Sequence, residues 1–174
     1  MTNQTIETIL ARRSIRRFDP TRQISREEVG KLLECACAAP SAGGRRPWHF
    51  IVVDDRGLLD KLAEIHPYAS MLKTAPLAVI VCGETEREGK PLSWWEEDCS
   101  AAMQNILLAA EALSLGAVWL GVRHGADGLE GRIGTLFSVP AGVAVLGAAA
   151  IGSPAETKDP HNGVDAWCLH VNKW

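Results

Sequence analysis

Between residues 93 and 115 the chain carries a helical pattern with almost no polar face. Ala101, Ala102, Met103, Ile106, Leu107, Leu108, Ala109, Ala110, Ala112, Leu113 and Leu115 leave little of it for water. A helix that is apolar nearly all round must be buried on every side. The rest of the chain therefore has to be arranged around it, and 174 residues are little material for that. A partner subunit is the natural supplier of the remaining cover. Gly116 suits the C′ position that would end this helix.

The flanking segments alternate in type. Residues 4–13 read as a short first helix. Ser25 opens S-R-E-E, a capping box with Glu28, and Val29, Leu32, Leu33 and Ala36 fall at i, i+3, i+4, i+7, so a helix is expected over 26–38, ended by Pro40. Residues 48–54 (WHFIVVD) read as a strand, and Asp55 can cap a helix over 56–65. A short helical piece near 69–74 precedes the continuous apolar run 77–82 (LAVIVC), of a kind buried on both faces. Residues 117–122 and 143–151 read as strands, with an amphipathic helix over 126–137 between them. From Gly152 the pattern changes. Two prolines, little periodicity and two tryptophans suggest an extended arm that packs on something and ends in a short strand, Cys168 to Val171. The alternation implies an α/β or α+β sheet with helices on both faces. One domain is expected, residues 1–154, with the arm at 155–174.

Composition removes several classes of function. The chain is 47% apolar and 22% charged, so it has a core and is not disordered. A net charge of -3 argues against non-specific binding to nucleic acid or anionic membranes. No apolar run approaches the ~20 residues that span a bilayer. MTNQTIETIL has no charged n-region, apolar h-region or cleavage site, so a secretory leader is not expected. Five cysteines (35, 37, 82, 99 and 168) form no C-x-x-C pair and read as reduced, mostly buried thiols of a cytoplasmic protein.

Three segments can carry chemistry. Arg12, Arg13, Ser14, Arg16 and Arg17, followed by Arg22 and Arg26, concentrate planar, permanently charged donors beside a hydroxyl, which suits a phosphate monoester. A solvated helix end is the plainer reading of the same charges. Ala39 to Trp48 (APSAGGRRPW) lets backbone approach a planar ligand closely, or is merely a tight connection. Trp119, Leu120 and Gly121 end a buried strand, where ligands of α/β sheets tend to sit, or are a core tryptophan and a bend. There is no G-x-G-x-x-G, no G-x-x-x-x-G-K-[ST], no H-E-x-x-H and no G-x-S-x-G. The histidines at 49, 66, 124, 161 and 170 are scattered, so no metal site is expected.

Taken in order, RRSIRRF, APSAGGRRPWHFIVV and DCSAAMQNILLAAEALSLGAVWLGV, together with Pro140, the Ile151 to Pro154 turn and the ending HVNKW, resemble the short members of the nitroreductase family over essentially the whole chain. The resemblance implies an α+β sandwich, its central, mainly antiparallel sheet flanked by helices, in an intertwined homodimer with exchanged C-terminal arms. It implies FMN at the dimer interface. By position, Arg12, Ser14 and Arg16, with Arg13 beside them, look like phosphate and ribityl binders. Pro40, Ser41 and Ala42 look like the segment reaching the flavin from the partner, with Gly44 and Arg46 further along it. Leu120 and Gly121, after Trp119, look like the backbone pair near the flavin N5.

The implied activity is a two-step cycle. Hydride arrives from NADH or NADPH and leaves to a small planar acceptor such as a nitroaromatic or quinone. No side chain is expected to act as nucleophile or catalyst. A different flavin reaction on this scaffold, or a non-catalytic protein with weakened FMN binding, are the alternatives. The pattern departs from the family at Gly44 (usually Asn), Arg46 (usually Gln) and Ser70 (often Lys). It also departs near Asn162 or Gly163 and at Cys168, where basic residues are usual. Tyr68, Trp94 and Trp95 could wall the acceptor or pack in a dimer.

Overall fold

The computed structural model describes residues 3–125 and 128–174. In chain order the elements are α1 (Gln4–Ala11), β1 (Phe18–Asp19), α2 (Arg26–Cys37), β2 (Trp48–Val53), α3 (Arg56–Ile65), β3 (Leu77–Glu84), β4 (Glu86–Arg87), β5 (Lys90–Pro91), α4 (Trp95–Ala112), β6 (Gly116–Gly121), α5 (Leu129–Leu136) and β7 (Val143–Pro154). Short 3-10 turns occupy Ala42–Gly44, Ser70–Lys73 and Ala166–Cys168.

The main sheet has five strands, all paired antiparallel. β7 lies at its centre, hydrogen-bonded to β3 along one edge and to β6 and then β1 along the other, while β2 pairs β3 outside it. Leu146 is the extra residue of a bulge opposite Val81 and Cys82, and Gly147 follows it. A Cβ on Gly147 would stand 2.5 Å from the Leu120 carbonyl oxygen and 2.7 Å from Trp119 Nε1, so only glycine lets β6 close on β7 there. Helices cover both faces. α2 and α4 pack with Val79, Val81 and Ala149 on one side, and α3 and α5 with Ile80, Ala148 and Ala150 on the other. The architecture is α+β, and among the described residues no helix is long and apolar enough to cross a membrane.

The local signals operate as expected where they are local. Ser25 accepts from the Glu28 N–H and Glu28 returns the bond to the Ser25 N–H, closing the capping box of α2. Asp55 accepts from the Leu58 N–H at 2.9 Å and starts α3.

Several boundaries differ from the sequence expectations. α4 ends at Ala112, so Leu113 and Leu115 lie beyond it, and the left-handed residue after it is Ser114 (φ 57°). Gly116 instead opens β6, where a Cβ would meet Ile15 Cγ2 at 2.7 Å. The chain also surrounds α4 largely by itself, since Met103, Ile106 and Ala110 are fully buried between the sheet and α2. The strands β3 and β7 run past their expected ends to Glu84 and Pro154. The expected strand at Cys168–Val171 is absent: a 3-10 turn ends at Cys168, with no neighbouring strand to pair its continuation. The two-residue strand β1 and the β4–β5 hairpin carry no periodic signal of their own. Of the expected helix 126–137, residues 126–127 lie outside the described residues and the helix is Leu129–Leu136. Only Cys82 and Cys99 are buried; Cys35, Cys37 and Cys168 are exposed.

Candidate functional site

α1 stops at Ala11 because Arg12 leaves helical geometry (φ −56°, ψ 122°). The following residues run extended beside β6. Ser14 bridges Ala117, and the Ile15 N–H donates to the Ala117 carbonyl at 3.0 Å. Ile15 is buried, and alternation along extended chain turns Ser14 and Arg16 to the opposite side.

The first part of the arm returns along this segment. The Ala155 N–H donates to the Arg17 carbonyl at 2.8 Å and the His161 N–H to the Leu10 carbonyl at 3.1 Å. Glu156 Oε1 accepts from the Arg16 N–H at 2.5 Å and the Arg17 N–H at 3.2 Å. The Arg16 bond chiefly holds the Glu156 carboxyl below its ordinary 4.5, against an upward push from burial, with help from the Arg17 bond and the nearby Lys158 and Arg17 charges. Lys158 Nζ donates to the Ser14 carbonyl at 2.6 Å and lies 3.6 Å from Glu156. The Arg13 guanidinium donates to the Asp159 carbonyl.

The first part of the arm thus meets Arg13, Arg16 and Arg17 and brings Lys158 and Glu156 to them, with Arg12 just before them at the end of α1. Among the described residues none of the four guanidinium groups is ion-paired with a carboxylate. Arg16 and Arg17 also line a cavity of about 400 Å³ with Phe18, Ser70, Met71 and Thr74.

The bridge from Ser14 to Ala117 brings the arginine segment against β6, which leads to Trp119, Leu120 and Gly121. Trp119 is half-buried and packs on the core, its Nε1 buried without an acceptor among the described residues. Leu120 is buried and Gly121 exposed. The Gly121 carbonyl accepts from His66 Nε2 at 3.0 Å, and His66 Nδ1 accepts the Tyr68 N–H at 3.2 Å. With Nδ1 accepting, Nε2 is the ring nitrogen that donates to the Gly121 carbonyl, and His66 itself is buried. Beyond Gly121, Glu130 ties the chain down. Its carboxylate meets His124 Nδ1 at 2.9 Å and accepts the Gly125 and Val145 N–H groups, each at 3.1 Å. Burial pushes the Glu130 carboxyl up, but these bonds together outweigh it and bring it below 4.5.

The second segment, Ala39 to Trp48, is fastened separately. Pro40 is exposed, and Ser41 and Ala42 are half-buried. The Ala42 N–H donates to Asp98 Oδ1 at 2.8 Å and the Arg46 N–H to Ser41 Oγ at 3.0 Å. Gly43 and Gly44 are left-handed (φ 60° and 67°), as is Arg46 (φ 48°). Among the described residues no hydrogen bond or ion pair joins this loop to Arg12–Arg16 or to 119–121. The structure therefore sets the arginine segment against the start of β6 at Ala117 and fastens the 40–46 loop to Asp98 at the N-terminal end of α4.

Lys158 and His66 are residues to which sequence reasoning assigns no role in the site, and Asp98 reads there as part of the acidic first turn of the long helix. For Lys158 a signal existed, since it is the only lysine or arginine between Arg132 and Lys173. The positions singled out instead, Asn162, Gly163 and Cys168, are exposed in the arm without a hydrogen bond to the arginine segment.

The profile of the Nitroreductase family matches residues 9–66 and 66–153. The chain is 46% identical, over 97% of its length and 87% of the other's, to a protein of Methanothermobacter thermautotrophicus with the provisional name NADH dehydrogenase/NAD(P)H nitroreductase. Among solved structures it is similar to an FMN-dependent nitroreductase of Clostridium difficile R20291, with 33% identity, 97% and 99% of the two chains covered and a TM-score of 0.88. It is also similar to an NADPH:FMN oxidoreductase of Vibrio harveyi complexed with NAD+, with 26% identity, 99% and 78% covered and a TM-score of 0.84.

Proposed function

The chain belongs to the nitroreductase family and is an oxidoreductase; from that premise we propose that it uses FMN to pass hydride or electrons from NADH or NADPH to a planar acceptor such as a nitroaromatic or quinone. The observation that carries the reading is the cation cluster. Lys158 is paired with Glu156, whereas the guanidinium groups of Arg12, Arg13, Arg16 and Arg17 are free of ion pairs among the described residues. Charge-assisted donors beside a hydroxyl, held among the described residues only by backbone carbonyls and one carboxylate, fit a phosphate dianion. When bound, FMN supplies the two-electron chemistry.

The protein's part is to bind and orient. Arg12, Ser14 and Arg16 hold the phosphate end, and Lys158 takes the place of the basic contacts missing at Gly163 and Cys168. Gly121, exposed and without a side chain, lets a planar ring approach the backbone, while His66 keeps the Gly121 carbonyl occupied. Ser70, where a lysine is usual in the family, shares its cavity with Arg16, which retains a positive charge on that wall.

Pro40, Ser41 and Ala42 complete the site from a second subunit. The exposed surface supports that reading. The chain exposes 10535 Å², whereas a folded monomer of this mass exposes about 8,300 Å². Val164, Trp167, Leu169, Val171 and Trp174, each 62–100% exposed, account for an apolar part of the excess. A homodimer with an interface above ~2,000 Å² covers it.

The purified protein is expected to carry a visible flavin absorbance that NADH or NADPH bleaches without oxygen and an added quinone restores. A colourless protein that takes up no FMN on reconstitution overturns the reading.

A further inference from the structure

A cavity of about 360 Å³, within the size range of small-molecule sites, opens at the N-terminal end of α4, between the 42–47 loop and the β4–β5 hairpin. Pro47, Leu92, Trp94 and Trp95 make its apolar and aromatic walls, and Asp98 and Arg45 are its charged residues. Trp95 is held from behind. It packs over Gly83, where a Cβ would come within 2.5 Å of the indole, and edge-on to His124 at 5.3 Å. Trp94 is 62% exposed and free to cover a ligand.

Asp98 is the unusual group. It is only 8% exposed. Oδ1 accepts the Ala42 N–H, and among the described residues Oδ2 has no hydrogen bond and no cation within ion-pair distance. A carboxylate oxygen with no donor from the protein takes one from water or from a ligand in the cavity that it lines. Complementing the helix dipole does not explain it, because the exposed Glu96 and Glu97 already do so from the same turn. Arg45 is exposed, so its charge is screened by water.

We propose that this cavity binds a planar aromatic molecule bearing a cationic or N–H donor group, an amidine or an arylamine, with Asp98 Oδ2 accepting from that group and Trp94 and Trp95 flanking the ring. Aromatic carboxylates are disfavoured there by the same charge. The capture of such a molecule by Asp98 does not rest on the flavin reading.

Benzamidine is the probe, with neutral benzyl alcohol as its control, each titrated calorimetrically into the purified protein and into D98N. That substitution keeps an oxygen to accept the Ala42 N–H and removes the charge. The benzamidine dissociation constant is expected to rise about tenfold or more in D98N, the loss of a charge-assisted bond, with benzyl alcohol binding unchanged. Three outcomes overturn the proposal: no benzamidine binding to the unsubstituted protein, equal binding to D98N, or a parallel loss of benzyl alcohol, which would make Asp98 a loop fastener only. The visible spectrum of the same samples reports flavin retention separately, so a failed flavin reading is not mistaken for a failed cavity.

Discussion

Helix α4 and residues 162–174 are both rich in large apolar side chains, yet they end in opposite environments. In α4, Met103 and Ile106 are fully buried between the sheet and α2. In the arm, Trp167 is 81% exposed and Trp174 fully so. Intrinsic hydrophobicity does not separate them. What differs is whether the same chain can present an opposing surface, which α4 finds in β3, β7 and α2 while the arm beyond His161 finds none among the described residues. An apolar segment that its own chain leaves bare points to a surface on another molecule.

The largest test of that contrast removes the arm. Deletion of residues 162–174 is expected to turn a dimer into a monomer in sedimentation velocity while the protomer keeps its sheet by circular dichroism. A dimer that survives the deletion breaks the comparison. Next, Ile106→Ala or Met103→Ala should lower the stability of the protomer itself by about 2–5 kcal/mol, read from denaturant unfolding. Trp167→Ala should instead weaken association and leave the protomer's own stability unchanged.

The proximal arm, residues 155–161, belongs with the core in this contrast because it is bonded to residues 10–17. Lys158→Ala or Arg16→Ala is therefore expected to raise the FMN dissociation constant by roughly one to two decades, a charge-assisted contact each, measured by flavin retained after dialysis. No change in either variant returns the cluster to a solvated surface. Thiol chemistry sharpens the division at low cost. Burial pushes the Cys82 thiol up to about 11 and the Cys99 thiol up to about 12. A raised value means less thiolate at a given pH, about one part in a thousand or less at pH 8. Ellman's reagent should titrate Cys35, Cys37 and Cys168 in the native protein and reach Cys82 and Cys99 only after unfolding. Slow reaction at Cys168 in the dimer, sped by dilution, would show the arm covered.

The smallest expected effect lies in the partner-facing loop. Arg46 is exposed and left-handed. If it faces the flavin's pyrimidine edge, Arg46→Gln should lower the flavin potential by a few tens of millivolts, about 30 mV for each 1.4 kcal/mol of the two-electron couple. An unchanged potential in a spectroelectrochemical titration rejects that role. Gly44→Asn is expected to fold normally, because a Cβ there meets nothing within 4 Å and asparagine tolerates the left-handed backbone.

Much of the fold was legible because its signals are local. The capping box at Ser25, the cap at Asp55, the apolar run of β3 and the period of α2 are each set by neighbours within a few residues, as is the crowding of arginines from 12 to 17. The sequence by itself therefore determined the order of most elements, the family resemblance and one half of the candidate site. Tertiary structure alone decided which distant residues complete it: Lys158 on Ser14, Asp98 on Ala42 and His66 on Gly121, pairs 144, 56 and 55 residues apart. It also placed Ser114 rather than Gly116 at the left-handed end of α4, and made a strand of Phe18 and Asp19, which are extended only because Pro154 and Ser153 lie beside them. The reason is physical: periodicity and capping are energies of short segments, whereas these contacts exist only after the loops between them have closed around a common core.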